Sequence, residues 1–192
     1  MNCILTGVGG QGTVLASKLI ASTALENGLM VRTAETIGMA QRGGCVVSHV
    51  RTGEHIYSPL ISYGQADIII GFEPAEAVRC LPYLKEGGTV VVSNRGMQPV
   101  TAALSNYAYD GSEMMEYLRT HVANLIEIDG ETICGEIGSV KALNTVLLGA
   151  ALTSNTLGIT KEQLVHSIER TLAEKYVAMN LNALDAGINA AS

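Results

Sequence analysis

Short apolar runs bounded by glycines fill the first two thirds of the chain, and helical spacing takes over in the last third. Cys3-Ile4-Leu5-Thr6 is apolar at consecutive positions and stops at Gly7, the pattern of a strand buried on both faces of a parallel sheet. Val14, Leu15, Leu19, Ile20 and Leu25 then recur at helical spacing, and Asn27-Gly28 supplies a stop. Leu29 to Ala34 reads as a second strand. Strand, a helix of about four turns and strand predict one right-handed βαβ unit. Cys45 to Arg51 predicts a further strand ended by Thr52-Gly53, and Ala66 to Gly71 and Gly88 to Ser93 predict two more buried ones. Between these, Pro74 suits the first turn of a helix running towards Leu81. Asp110 with Glu113 predicts a capped helix ending near His121, and Asn124 to Ile128 a last strand.

From Ser139 onward the spacing is helical. Leu143, Val146, Leu147 and Leu152 predict one apolar stripe, Thr160 and Gln163 a capping box, and Leu164, Ile168 and Leu172 the helix behind it. Val177, Leu181, Leu184 and Ile188 mark a closing helix. No internal repeat, low-complexity tract or linker interrupts the pattern. The expected fold is a single α/β domain over residues 1–192, Rossmann-like and doubly wound, with a mostly parallel sheet and a helical C-terminal third.

Composition narrows the function classes. Acidic residues exceed basic ones, 18 to 12, for a formal net charge of −6. No basic run interrupts that balance, which argues against a nucleic-acid or anionic-membrane partner. Apolar runs stay far short of a membrane span, and Met1 to Thr6 carries no positive leader, so the chain reads as cytoplasmic. Charged residues make up 16% of the chain, against roughly 25% in an average soluble protein. That shortage suggests surface buried against a partner, with a charge-poor monomer as the alternative. Cys3, Cys45, Cys80 and Cys134 are too widely spaced for a zinc knuckle or a self-contained iron–sulfur cluster, and read as reduced, mostly buried thiols.

The candidate chemistry lies in two glycine-rich segments. Gly7-Val8-Gly9-Gly10-Gln11-Gly12 follows a strand and opens a helix, the context of a dinucleotide-binding loop. Glycines there let the backbone approach a pyrophosphate, and the helix N-terminus favours its charge. Glu35 ends the second strand, where such a fold places a ribose-binding carboxylate. Gly10 and Gln11 exceed the minimal fingerprint, however, and Gln11 is expected to face whatever approaches the loop. After Glu35 an ordinary crossover would start a helix. Instead Gly38, Gly43 and Gly44 surround Gln41-Arg42, which predicts a sharp turn presenting an amide and a guanidinium. A plain β-turn with a solvated arginine is the alternative.

Together these segments resemble a known family. Gly-x-Gly-Gly-Gln-Gly before a helix, then Glu35-Thr36-Ile37-Gly38-Met39-Ala40-Gln41-Arg42-Gly43-Gly44, then Ser58-Pro59, is similar to the gamma-type domain of 2-oxoacid:ferredoxin oxidoreductases. Within it the wording around Gln41-Arg42 resembles the small beta-type subunit of indolepyruvate oxidoreductases. The tails Ala142-Leu143-Asn144-Thr145-Val146-Leu147-Leu148-Gly149-Ala150 and Tyr176 to Gly187 agree, so the resemblance covers the whole chain.

The resemblance implies a division of labour. Thiamine diphosphate, magnesium and iron–sulfur clusters belong to a large alpha-type partner, which passes electrons to ferredoxin. The reaction is oxidative decarboxylation of a 2-oxoacid with coenzyme A as co-substrate, giving acyl-CoA, carbon dioxide and reduced ferredoxin. This chain would be a non-catalytic part, inactive alone. Its Asp129-Gly130-Glu131 lacks the rest of a thiamine diphosphate motif. The loops at 7–12 and 36–44, with Ser58 and Pro59, would pack at the edge of the partner's active site or against coenzyme A.

Other candidates carry less. His49 and His55 flank Arg51 but have no third ligand nearby, and read as structural histidines. Met114-Met115 reads as filling for a core or interface. Ser22, Ser105 and Ser112 stand in no nucleophile elbow. Asn94, after a predicted strand, is a candidate for the ligand crevice at the strand ends, with a plain turn as the alternative. The competing function is a free-standing NAD- or FAD-binding dehydrogenase, or a nucleotide-binding regulator, using Gly7, Gly9, Gly12 and Glu35. Nucleotide binding by the chain alone separates the two readings.

Overall fold

A computed structural model of the chain describes residues 1–37, 44–97 and 109–191. In chain order the elements are β1 (Asn2–Val8), α1 (Thr13–Glu26), β2 (Met30–Ile37), β3 (Cys45–Gly53), β4 (Ala66–Gly71), α2 (Pro74–Cys80), β5 (Leu84–Ser93), α3 (Ser112–His121), β6 (Asn124–Ile128), α4 (Gly130–Ile137), α5 (Leu143–Thr153), α6 (Lys161–Thr171) and α7 (Glu174–Ala190). The strands form one sheet in the order β2-β3-β1-β4-β5-β6. Pairings β1–β4, β4–β5 and β5–β6 are parallel, and only β3 runs against its neighbours. The mostly parallel, doubly wound α/β reading stands.

The first crossover corrects an expectation. In an ordinary βαβ unit β2 would lie beside β1, but here β3 is inserted between them. Seven residues, 38–44, separate β2 from β3. A parallel crossover needs about ten to twelve or more, so the two strands pair as an antiparallel hairpin. β3 then continues antiparallel onto β1, from Val8 opposite Cys45 to Asn2 opposite Arg51.

Two apolar cores sandwich the sheet. Leu5, Ile68, Ile70 and Val91 pack against Ala16, Leu19 and Ile20 of α1 and against the buried residues of α5, α6 and α7. On the other face Ile4, Ile69, Val90 and Val92 meet Ala77 and Cys80 of α2 and Met115 and Leu118 of α3. Met115 therefore fills core, one of the two places read for the Met114-Met115 pair. Pro74 sits in the first turn of α2, and α6 carries the full Thr160–Gln163 capping box.

Three local readings change. α4 is a helix that periodicity does not reveal, because it has only two turns and opens on Gly130; Asp129 caps it by accepting from Thr132 N at 3.1 Å. The cap of α3 is Gly111, in left-handed backbone, while Asp110 Oδ1 accepts from Ser112 N at 2.9 Å. α5 is buried on every side from Asn144 to Ala151 rather than along one stripe, being enclosed by the sheet, α1, α4 and α7. Gly149 and Gly187 make that enclosure possible. A Cβ on Gly149 would overlap the Leu184 carbonyl oxygen, and one on Gly187 that of Val146, so α5 and α7 touch backbone to backbone.

All four cysteines are free thiols, three of them buried. His49 is buried, accepts from Ile61 N at 3.2 Å and stands edge-on to Tyr83; burial lowers its pKa. It is a structural histidine. No helix among the described residues is long and apolar enough to cross a membrane.

Candidate functional site

In an open α/β sheet the ligand crevice lies at the C-terminal strand ends, where the chain switches winding direction. Here α1 leads from β1 towards β2, whereas α2 leads from β4 towards β5, so the switch falls between β1 and β4. The glycine loop sits on that crest.

Gln11 corrects an expectation. Its carboxamide does not face outward but bridges the two strand ends across the switch point. Oε1 accepts from Val8 N at 2.7 Å, and Nε2 donates to Phe72 O at 3.0 Å. Gly7 is glycine because a Cβ would come within 2.7 Å of both Gln11 Oε1 and Phe72 Cβ. Gln11 thus spans the switch point between β1 and β4.

The two glycine motifs meet. Gly9 N donates to Gly44 O at 2.9 Å, tying the first loop to the start of β3. Gly10, at φ +103, is exposed with open space where a side chain would stand. Gly12, at φ +92, caps α1, and its missing Cβ leaves room for Asn144 from α5, with Nδ2 3.0 Å from where that Cβ would be. Gly38, Gln41, Arg42 and Gly43 lie outside the described residues.

Glu35, Asn94, Ser58 and Pro59 fall in different places. Glu35 is separated from β1 by β3, a lateral distance of about 10 Å, and Ser17 Oγ of α1 donates to its Oε1 at 3.1 Å. That is not a carboxylate standing beside the loop for a ribose. Asn94 does reach the crest, two strands from β1; its N–H donates to Ile128 O at 2.9 Å and its side chain is exposed. Ser58 and Pro59 are at the opposite edge of the sheet. Arg51, opposite Asn2 at the start of β1, donates to Ser58 O at 2.9 Å. The six steps from Asn2 to Val8 span about 20 Å. These two residues therefore belong to no common site with the loop.

Residues the sequence did not single out surround the crest on the α2 side. Glu73, 2% exposed, follows β4 and caps α2. Its Oε1 accepts from Tyr109 Oη at 2.5 Å and from Met97 N at 3.4 Å. Burial first, then that bond, pushes the tyrosine pKa up. One turn on, Glu76 Oε2 is buried without a hydrogen-bond partner among the described residues. Nothing in their sequence neighbourhood separates these glutamates from solvated ones; only the tertiary fold does.

Cys45 opens β3 beside the loop, and its thiol is pushed up to about 12, by burial first and then by the neighbouring Glu76 carboxylate. The thiolate is the reacting form. Near pH 8 its fraction should be on the order of 10³-fold below that of a free cysteine, partly offset by higher intrinsic nucleophilicity. Alkylation of Cys45 by iodoacetamide should then run roughly 10²-fold slower than that of a free thiol, and Glu76→Gln should recover part of the rate. Peptide mass mapping over time measures this; alkylation at the free-thiol rate would remove the carboxylate–thiol contact from the account.

The profile of the pyruvate ferredoxin/flavodoxin oxidoreductase family matches residues 2–190, almost the whole chain. The chain belongs to that family. Two relatives within the pyruvate ferredoxin/flavodoxin oxidoreductase family are named indolepyruvate oxidoreductase subunit IorB. The one from Archaeoglobus fulgidus is 39% identical over 100% of this chain and 95% of its own, and the one from Pyrococcus horikoshii 35% identical over 99% and 95%. Among solved structures, the 2-oxoglutarate:ferredoxin oxidoreductase from Magnetococcus marinus, with 2-oxoglutarate, coenzyme A and succinyl-CoA bound, aligns with a TM-score of 0.72 at 22% identity. The alignment covers 100% of this chain but 31% of that one, so the same fold occurs inside a longer chain.

Proposed function

We propose that this chain is the small subunit of a 2-oxoacid:ferredoxin oxidoreductase acting on indolepyruvate or another aryl pyruvate. The complex would oxidatively decarboxylate the oxoacid with coenzyme A and pass electrons to ferredoxin in the cytoplasm. The observation that carries this reading is identity of 35–39% with two IorB subunits along essentially the whole chain.

Thiamine diphosphate, magnesium and iron–sulfur clusters are assigned to a large alpha-type partner, because the residues here do not fit them. Asp129, in the one segment approaching a thiamine diphosphate motif, gives both carboxylate oxygens to Thr132 at the start of α4. No group of three His, Cys, Asp or Glu among the described residues is placed to hold a metal ion. The contribution of this chain is the crest. Gly7, Gly9, Gly10, Gly12, Gly44 and Asn94 set a close-approach backbone edge towards the partner's active site or coenzyme A. The Gln41-Arg42 segment enters the site through its sequence alone, and Gln11 holds the edge together from within.

The test is reconstitution. Neither chain alone should reduce a viologen dye with indolepyruvate and coenzyme A, and the mixture should. Turnover by this chain alone, or a large partner fully active without it, would count against the assignment.

A further inference from the structure

We infer that Arg32, Arg51 and the loop from Tyr57 to Tyr63 form a docking surface for an acidic segment of the large partner, at the edge of the sheet opposite the crest. The choice of occupant rests on the subunit reading. The surface itself involves neither the crest nor a cofactor.

Two arginines stand side by side there. Arg32 of β2 and Arg51 of β3 are register partners, and Asn2 of β1 is next in the same row. Directly opposed residues project from one face with Cβ atoms about 5 Å apart, where like charges repel. Arg79, Arg95, Arg119 and Arg170 each hold a glutamate. Among the described residues Arg32 and Arg51 hold no carboxylate. Arg32 donates to Val31 O, and Arg51 donates to neutral groups, Asn2 Oδ1 and the Ser58 and Leu60 carbonyls. Asp67, the carboxylate beside Asn2, is taken by Lys85 and by Asn2 N. A chain of formal net charge −6 thus leaves two adjacent cations unneutralised. A cleft of about 410 Å³ opens at Arg51, lined also by Asn2, Ser62, Tyr63 and Gln65.

The loop beyond the cleft is apolar, exposed and fixed. From Ile56 to Gln65 the chain carries no charge. Ile56 and Ile61 are buried, whereas Tyr57 is 93% exposed, Leu60 57% and Tyr63 71%. Arg51 grips two carbonyls of the loop, and Ser58 Oγ accepts from Leu60 N at 3.2 Å. Gly64 N donates to Pro82 O at 2.9 Å, and the rings of Tyr63 and Tyr83 lie 4.7 Å apart. Ser58 and Pro59 therefore shape a site of their own, away from the glycine loop.

Exposed side chains on a held backbone lose little freedom when they bind. A charge-poor patch rich in Tyr and Arg has the composition of an interface centre. The guanidinium groups beside it select carboxylates. A protein fits better than a small anion, because the cleft opens onto the apolar loop. A partner larger than this chain can also span both ends of β1, about 20 Å apart.

The test uses the full chain assembled with the large partner, with affinity measured at low salt and at about 1 M salt, where charges are screened beyond about 3 Å. Arg32→Glu should weaken association about tenfold to a hundredfold at low salt, and much less at high salt. Tyr57→Ala should weaken it about tenfold at both. Both side chains are exposed, so the melting temperature of the free chain should not move. Lys18→Glu makes the same charge change on exposed α1 and should bind as the native chain does. Native affinity in Arg32→Glu and Tyr57→Ala, or equal weakening by Lys18→Glu, overturns the surface. Self-association of the chain alone that Tyr57→Ala abolishes assigns the surface to a second copy, and overturns the partner as its occupant. Turnover of the native mixture is read separately. If it is normal while the variants bind as native, only the docking surface falls; if the native chains neither bind nor turn over, the subunit reading falls and the occupant with it.

Discussion

Gly187→Ala should destabilise the chain by a net 2 kcal/mol or so, an unusual result for a glycine replaced inside a helix. Alanine normally gains about 1 kcal/mol over glycine at such a position. Here the added Cβ would overlap the Val146 carbonyl oxygen, and Gly149 meets Leu184 in the same way from the other helix. Overpacking of a close-packed interior costs typically 1–3 kcal/mol, occasionally more, and a rigid backbone neighbour places this site at the upper end. For a domain of this size the net loss corresponds to a fall in melting temperature of about 4–8 °C. Gly135→Ala in α4 is the matched control. Its Cβ would meet nothing within 4 Å, so the helix gain should appear undiminished. Urea denaturation of both variants decides the matter: equal effects would mean that α5 and α7 can part without cost.

Gln11→Ala has the second largest expected effect, about 2 kcal/mol, because it strands Val8 N–H and Phe72 C=O at once. Each unpaired group costs about 1–3 kcal/mol when dry, and the partial exposure of Gln11 lets water reduce that. Gln11→Glu separates the two bonds. It keeps an acceptor for Val8 N–H but sets a carboxylate oxygen against the Phe72 carbonyl. That repulsion raises the carboxyl pKa in the folded chain above its unfolded value. Stability of this variant should therefore rise as pH falls from the folded pKa towards the unfolded one, relative to the native chain over the same window. A flat difference across acid pH would show that the side chain is not seated between the strands.

Much of the fold was legible because glycines and apolar runs act locally. Asn27-Gly28 stopped α1, Pro74 began α2, and Thr160 with Gln163 capped α6, each by chemistry confined to a few neighbours. The insertion of β3 was not legible: the strand read from the sequence ended at Ala34, and only the extension of β2 to Ile37 shortens the connection to a hairpin. The site divided along the same line. Loop 7–12 and Gly44 meet each other, a contact the sequence reading did not foresee although close backbone approach is what glycine allows. The direction of Gln11 and the packing of Asn144 on Gly12 depend on contacts across 60 residues or more of chain, the place of Ser58 and Pro59 on the pairing of β3 with β1, and the surroundings of Glu73 and Glu76 on burial that no local pattern specifies.

The displaced β2 also has a consequence for the chain before it finds a partner. As the outermost of the described strands it offers an edge whose outer backbone groups no other described strand pairs. Such an edge templates self-association and cross-β stacking. Arg32 and Glu35, three positions apart, project to opposite faces of the strand, and both are exposed. A second strand laid against this edge would have to accommodate a charge above and a charge below in the same short stretch. β2 thus carries its own protection against aggregation on both faces, where a charge on one face alone would leave the other open to stacking.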